Sequence, residues 1–152
     1  MHPTLSPLPA IGRVLLAMIF VLAGIGKLSA IGATSAHMAS AGIPYSNDLV
    51  WGAVALELGG GILLIVGLLT RFVGLALFFY TLTLALLFHA YWTMTGAAAH
   101  EQHSAFFEHM SMMGGMLYVV AYGAGPYSID AMIRGRHSDA AALRAPYPQP
   151  AE

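Results

Sequence analysis

The chain has 152 residues, 58% of them hydrophobic and only 9% charged, with a formal net charge of −1. A soluble domain carries about 25% charged residues, so the composition excludes an ordinary soluble fold and gives no basic surface for nucleic acid. There is no cysteine, which excludes disulfides, thiolate metal sites and dithiol redox chemistry.

Residues 1–9 form a short polar lead with three prolines, read as an extended arm. The first apolar run covers residues 8–28, with Arg13 near its start and Lys27 near its end. It is long for the h-region of a secretory signal, and its only early cation sits inside it, so it is read as a membrane span. Residues 29–48 are small and polar, ending in Gly42-Ile43-Pro44, and read as a loop. The second run, residues 50–69, contains one ionisable side chain, Glu57, followed at once by Gly59, Gly60 and Gly61. A carboxylate at this depth costs about 2.5 kcal/mol or more to insert. Glu57 should therefore face protein or water.

Thr70-Arg71 is a very short connection, so the third run, residues 72–92, should fold back on the second as a hairpin. Tyr91 and Trp92 at its end suit a membrane interface. A polar loop, residues 93–105, holds His100, Glu101 and His103. The fourth run, residues 106–125, is Met- and Gly-rich and less purely apolar. From Pro126 the chain reads as a tail, with residues 131–152 cytoplasmic and disordered.

In lipid every backbone polar group must be satisfied within its segment, so the apolar runs are helices. The expected fold is all-α: a four-helix transmembrane bundle over residues 10–130. Four spans put both termini on one side. Arg13, Arg71, Arg134, Arg136 and Arg144 collect there, and Lys27 alone lies on the other. The excess of cations places the N- and C-termini in the cytoplasm.

Helical periodicity then sorts the polar groups. Arg13, Ala17, Phe20, Gly24 and Lys27 form one stripe of the first helix. Ala53, Glu57, Gly60 and Gly61 share a face of the second, a small-residue surface suited to close packing. His109, Met113, Met116 and Val120 align on the fourth. At about 1.5 Å per residue, Glu57 lies roughly 10–12 Å below the outer end of its helix. Lys27, His89 and His109 lie near the outer ends of theirs. The four predict a polar binding pocket in the outer half, with Glu57 and His89 as the reactive pair and a proton relay as its chemistry. Arg13 is expected to form a structural ion pair with Asp130 beyond the fourth helix. His89, His100, His103 and His109, with Glu101 and Glu108, would suit a transition metal. Lacking a recognisable motif, they lead to no metal assignment.

The pattern resembles the DoxX family of small bacterial membrane proteins. The resemblance rests on Arg13, Ile19-Phe20 and the run from Ala23 to Leu28; on Met38 to Pro44; on Glu57-Leu58-Gly59-Gly60-Gly61; on Gly67 to Arg71; on His89; and on Gly114-Gly115-Met116-Leu117 with Gly123, Gly125 and Ser128-Ile129-Asp130. It covers about residues 10–130. It implies a multi-pass protein of the bacterial inner membrane with family-like polar positions at Arg13, Lys27, Glu57, Arg71, His89 and Asp130. It also implies a link to redox chemistry. A DoxX-like relative, DoxD, resembles the membrane subunit of a thiosulfate:quinone oxidoreductase, and DoxX proteins are associated with complexes involving superoxide dismutase and thiol homeostasis. Glu108-His109 departs from the family, where many relatives have a Lys-Asn-like pair.

The resulting expectation is a redox-associated membrane component, its catalytic status open and an oxidoreductase subunit one option, that binds a quinone or a small solute and meets the lipid bilayer, with a redox partner protein and a homo-oligomer as further options. The alternatives are a non-catalytic scaffold for a soluble redox enzyme and a small transporter.

Overall fold

The computed structural model describes residues 6–144, with side chains to residue 136. The described chain is helical: α1 Leu8–Ser29, α2 Ile31–Ser40, α3 Ser46–Val66, α4 Thr70–Phe88, α5 Gly96–Tyr122 and α6 Ile129–Arg144, with a single 3₁₀ turn at Tyr91–Thr93. Three stretches, Leu8–Ser29, Ser46–Val66 and Thr70–Thr93, are long and apolar enough to cross a membrane. The longest helix, α5, carries Glu101, Glu108 and three histidines and is less apolar.

Local chemistry sets the boundaries. Proline in the first turn of α1 sits where its missing N–H is no loss. Gly67 ends α3 in the left-handed region at φ 70°. Its N–H donates to the Leu64 carbonyl, and the Leu68 N–H donates to the Leu63 carbonyl. That double bond pattern is a Schellman stop, which glycine makes without a Cβ penalty. It turns the chain within three residues into α4, which packs back on α3.

The buried residues of α1 are Arg13, Ala17, Phe20 and Gly24, the predicted stripe less Lys27. The core joins Ala17 and Phe20 of α1, Leu64 of α3, Val73 and Leu77 of α4, and Met116 of α5. α1 and α3 approach closely: a Cβ on Gly61 would lie 2.7 Å from Val21 Cγ2, and one on Gly24 would lie 2.9 Å from the Leu58 nitrogen. Large apolar side chains such as Leu15, Leu22, Phe72 and Phe79 point outward, as a lipid-facing surface requires.

Three regions differ from the sequence reading. The loop expected over residues 29–48 contains α2, which packs on α3, with His37 stacked on Phe88 at 5.1 Å between ring centroids. α5 begins about ten residues earlier than the fourth apolar run, because its first turns are polar and hydropathy does not mark them. Residues 129–144, expected to lie mostly in a disordered tail, form α6. The extended arm is described only from residue 6, and the proline-rich end lies outside the described residues.

Candidate functional site

The site is built around a local defect in α3. Residues Ala55–Gly59 form one π-helical turn inside an otherwise α-helical span. Such single-turn bulges are frequent at functional sites. Glu57 stands in the middle of it, only 2% exposed. Its Oε1 accepts two bonds: from Lys27 Nζ of α1 at 2.8 Å, an ion pair, and from the Tyr80 hydroxyl of α4 at 2.8 Å. Its Oε2 is buried and has no hydrogen-bond partner. The ammonium arm of Lys27 is partly open, with a quarter of its side chain exposed. One residue beyond Tyr80, the Thr81 hydroxyl is also buried without a partner. Buried polar atoms are nearly always paired, so the unpaired Glu57 Oε2 marks a place with spare hydrogen-bonding capacity.

A second pair lies beside it. His89, just past the end of α4, and His109 of α5 bring their rings to 4.5 Å between centroids. His89 Nδ1 bonds the Gln102 side-chain oxygen at 2.6 Å. His109 Nδ1 donates to the Ala105 carbonyl at 2.8 Å. With Nδ1 committed as donor, the neutral His109 ring presents Nε2 as an acceptor. His109 lies within Coulombic reach of Lys27, His89 and Glu108. The structure thus brings Lys27 to Glu57 and His89 to His109, and His109 sits close enough to Lys27 to feel its charge. Glu57 itself bonds to neither histidine; its described partners are Lys27 and Tyr80.

Sequence reasoning missed Tyr80. It reads as one aromatic among several in the third apolar run. Its signal is position: a phenol in the middle of an apolar helix, far from the membrane edges where tyrosine ordinarily sits, needs an internal partner. Among the described residues no three His, Asp or Glu side chains converge to hold a metal ion. His103 instead packs edge-on against Tyr91 at 4.8 Å and tilted on Phe107 at 4.8 Å.

The expected ion pair between Arg13 and Asp130 is replaced by two backbone clasps. Arg13 is 4% exposed. Its Nη1 donates to the Ala124 carbonyl, and its Nη2 to the Ile65 carbonyl at 3.1 Å and the Tyr127 carbonyl at 2.9 Å. Asp130 accepts from the Leu69 and Thr70 N–H groups, both at 2.9 Å, and its own N–H donates to Gly67 O at 2.9 Å. Asp130 thereby caps the start of α4 from a distant part of the chain. The two side chains still attract each other across the turn. Carbonyls left over at helix ends, which periodicity does not reveal, take the guanidinium donors.

Comparison with known proteins identifies the family and its compartment. The DoxX family model matches residues 8–90. Inner membrane protein YphA of Escherichia coli (strain K12) is 33% identical over 120 residues, covering 79% of this chain and 86% of the relative. Inner membrane protein YqjF of the same organism is 32% identical over 124 residues, covering 81% of this chain and 89% of the relative. No solved structure matches. The family match takes in Arg13, Lys27, Glu57, Tyr80 and His89, and the chain therefore belongs to the DoxX family of integral inner-membrane proteins.

Proposed function

We propose that α1, α3, α4 and α5 form a four-helix transmembrane bundle with both termini cytoplasmic, and that its outer half holds a polar pocket for the head of a quinone or a comparably small protic solute, as part of a redox-associated membrane system. The topology rests on charge. Arg71 and the Arg13 clasp lie at one end, against the α5–α6 connection, and Arg134 follows on α6. Lys27, Glu57, His89 and His109 occupy the other. Reporter fusions test this: a C-terminal fluorescent protein should be active, and an exported phosphatase inserted at residue 95 should be active too. The reverse pattern refutes it.

The observation that carries the pocket is Glu57, fully buried, with one oxygen doubly bonded and the other free. A quinone offers carbonyl acceptors and a quinol offers hydroxyl donors. Lys27, whose ammonium keeps N–H groups beyond the one on Glu57, supplies donors, and Tyr80 holds the carboxylate in place. Glu57 Oε2 and His109 Nε2 supply acceptors. The donor and acceptor set therefore fits both forms. A quinone supplies two-electron redox chemistry when bound; the side chains here bind its head and move the proton. Glu57 takes or returns the proton at Oε2, Lys27 balances its charge, and His89 with His109 connects the pocket to the outer loop.

The test replaces Glu57 with Gln and Tyr80 with Phe, separately, and measures quinone binding to the purified full chain and quinone reduction in membranes. Losing a hydrogen bond to a charged group costs about 1.5–3 kcal/mol, so binding should weaken roughly 10- to 100-fold for Glu57→Gln. Unchanged binding and unchanged reduction remove Glu57 from the mechanism.

A further inference from the structure

A groove of about 760 Å³ runs between α1 and α5 at the end of the molecule away from Glu57. Its size lies within the range of about 300–1,000 Å³ typical of ligand pockets. Its walls are mostly apolar, built from Leu8, Gly12 and Leu16 of α1 and Tyr118, Val119 and Tyr122 of α5. Arg13 lines it as well. The helices close above it, where a Cβ on Gly115 would lie 3.1 Å from Leu16 Cδ1.

Arg13 is the chemical feature of this groove. Its described partners are three backbone carbonyls, and its Nε is buried with no hydrogen-bond partner. Carbonyls satisfy donors without cancelling a charge. The nearest carboxylate, Asp130, has both oxygens engaged by Leu69 and Thr70 N–H groups. A second guanidinium stands at the same end: Arg71 donates to the Ala121 carbonyl at 3.3 Å and lies beside Gly123, another lining residue. The groove thus joins an apolar channel to a cationic end with one unused buried donor. Basic pockets between membrane helices are where anionic lipid headgroups seat.

We propose that this groove binds one anionic phospholipid, its phosphate at Arg13 with Arg71 nearby and an acyl chain along the Leu16–Val119 wall. Charge complementarity selects the anionic class, because a zwitterionic lipid brings its own cation to the two guanidinium groups. A phosphate oxygen at Arg13 Nε makes a charge-assisted bond in a site shielded from water. This site is separate from Glu57 and serves to fasten α1 to α5.

The experiment uses the full-length purified protein, delipidated in detergent, and native mass spectrometry with phosphatidylglycerol, phosphatidylcholine of the same chains, and ubiquinone. Wild type should retain phosphatidylglycerol at least ten-fold better than phosphatidylcholine. Arg13→Gln should lose that preference, although it also breaks the backbone clasp. Gly12→Leu avoids this difficulty, because Gly12 lines the groove and a Cβ there meets nothing within 4 Å. It should cut phosphatidylglycerol retention about ten-fold while leaving the melting temperature of the lipid-free protein unchanged. Equal retention of the two phospholipids by wild type would overturn the proposal. So would full retention by Gly12→Leu, displacement by equimolar ubiquinone, or a lipid-free dimer that occludes the groove.

Discussion

Replacing Lys27 with Met tests the reasoning about the buried ion pair most directly. Methionine keeps the length and apolar stem of lysine and deletes the ammonium. Glu57 then keeps only its bond from Tyr80, at 2% exposure. Removing one partner of a buried pair costs about 3–5 kcal/mol, because it leaves an uncompensated charge. Lys27 is a quarter exposed, which places the expected loss near the lower bound, about 3 kcal/mol. The reverse substitution, Glu57→Gln, should cost less, about 1–2 kcal/mol. Its amide oxygen still accepts from Tyr80, and the freed Lys27 can extend toward the membrane surface. The double variant should then lose much less than the sum, giving a coupling of about 2 kcal/mol. The assay is unfolding of the purified protein in mixed micelles by dodecyl sulfate, followed by far-ultraviolet circular dichroism. A loss below about 0.5 kcal/mol for Lys27→Met, or an additive cycle, would refute the coupling.

Two further outcomes follow from the other end of the molecule. Gly67→Ala places a methyl group in the left-handed region, 2.5 Å from Ser128 Cβ and 2.9 Å from Arg13 Cζ. Left-handed strain of about 1–2 kcal/mol and overpacking of about 1–3 kcal/mol act together, so the thermal melting temperature should fall sharply, and a wild-type melt would show that the Arg13 clasp is loose. Asp130 sets an acid limit on stability. Burial pushes its carboxyl up, but the Thr70 and Leu69 N–H bonds and the Arg134 guanidinium outweigh this and hold it below the usual carboxylate range. Its contribution is therefore complete above the unfolded-chain value of about 3.9 and is lost as the pH falls through the lower folded value. Asp130→Ala should reduce stability at neutral pH by about 1 kcal/mol, the usual worth of a helix cap, and should flatten the loss of stability below about pH 4. An unchanged acid limb in the variant would assign the acid sensitivity to other groups.

Much of this was legible in the residues alone. The apolar runs of α1, α3 and α4 announce themselves because lipid admits no unpaired backbone. The buried face of α1 follows from spacing, since Arg13, Ala17, Phe20 and Gly24 recur at helical intervals. The cost of a carboxylate in an apolar run singles out Glu57, and depth groups it with Lys27, His89 and His109, of which the structure makes Lys27 its partner. Other features were illegible for physical reasons. α2 and the first turns of α5 are short on apolar residues, so hydropathy passes over them.

The order of polar and apolar residues by itself determined that the chain enters the membrane, which faces of its helices turn inward, and which ionisable groups need shelter. Only the tertiary structure decided their partners. The phenol of Tyr80 on the Glu57 carboxylate and the diversion of Arg13 from Asp130 to the Ala124, Ile65 and Tyr127 carbonyls arise between segments distant in the chain, and the π turn at Ala55–Gly59 is a local geometry that apolar spacing does not mark. Periodicity assigns a residue to a face of its own helix. Which atom of another helix meets that face depends on how closely the glycine-lined surfaces of α1 and α3 let the backbones approach and on which carbonyls the helix ends leave free.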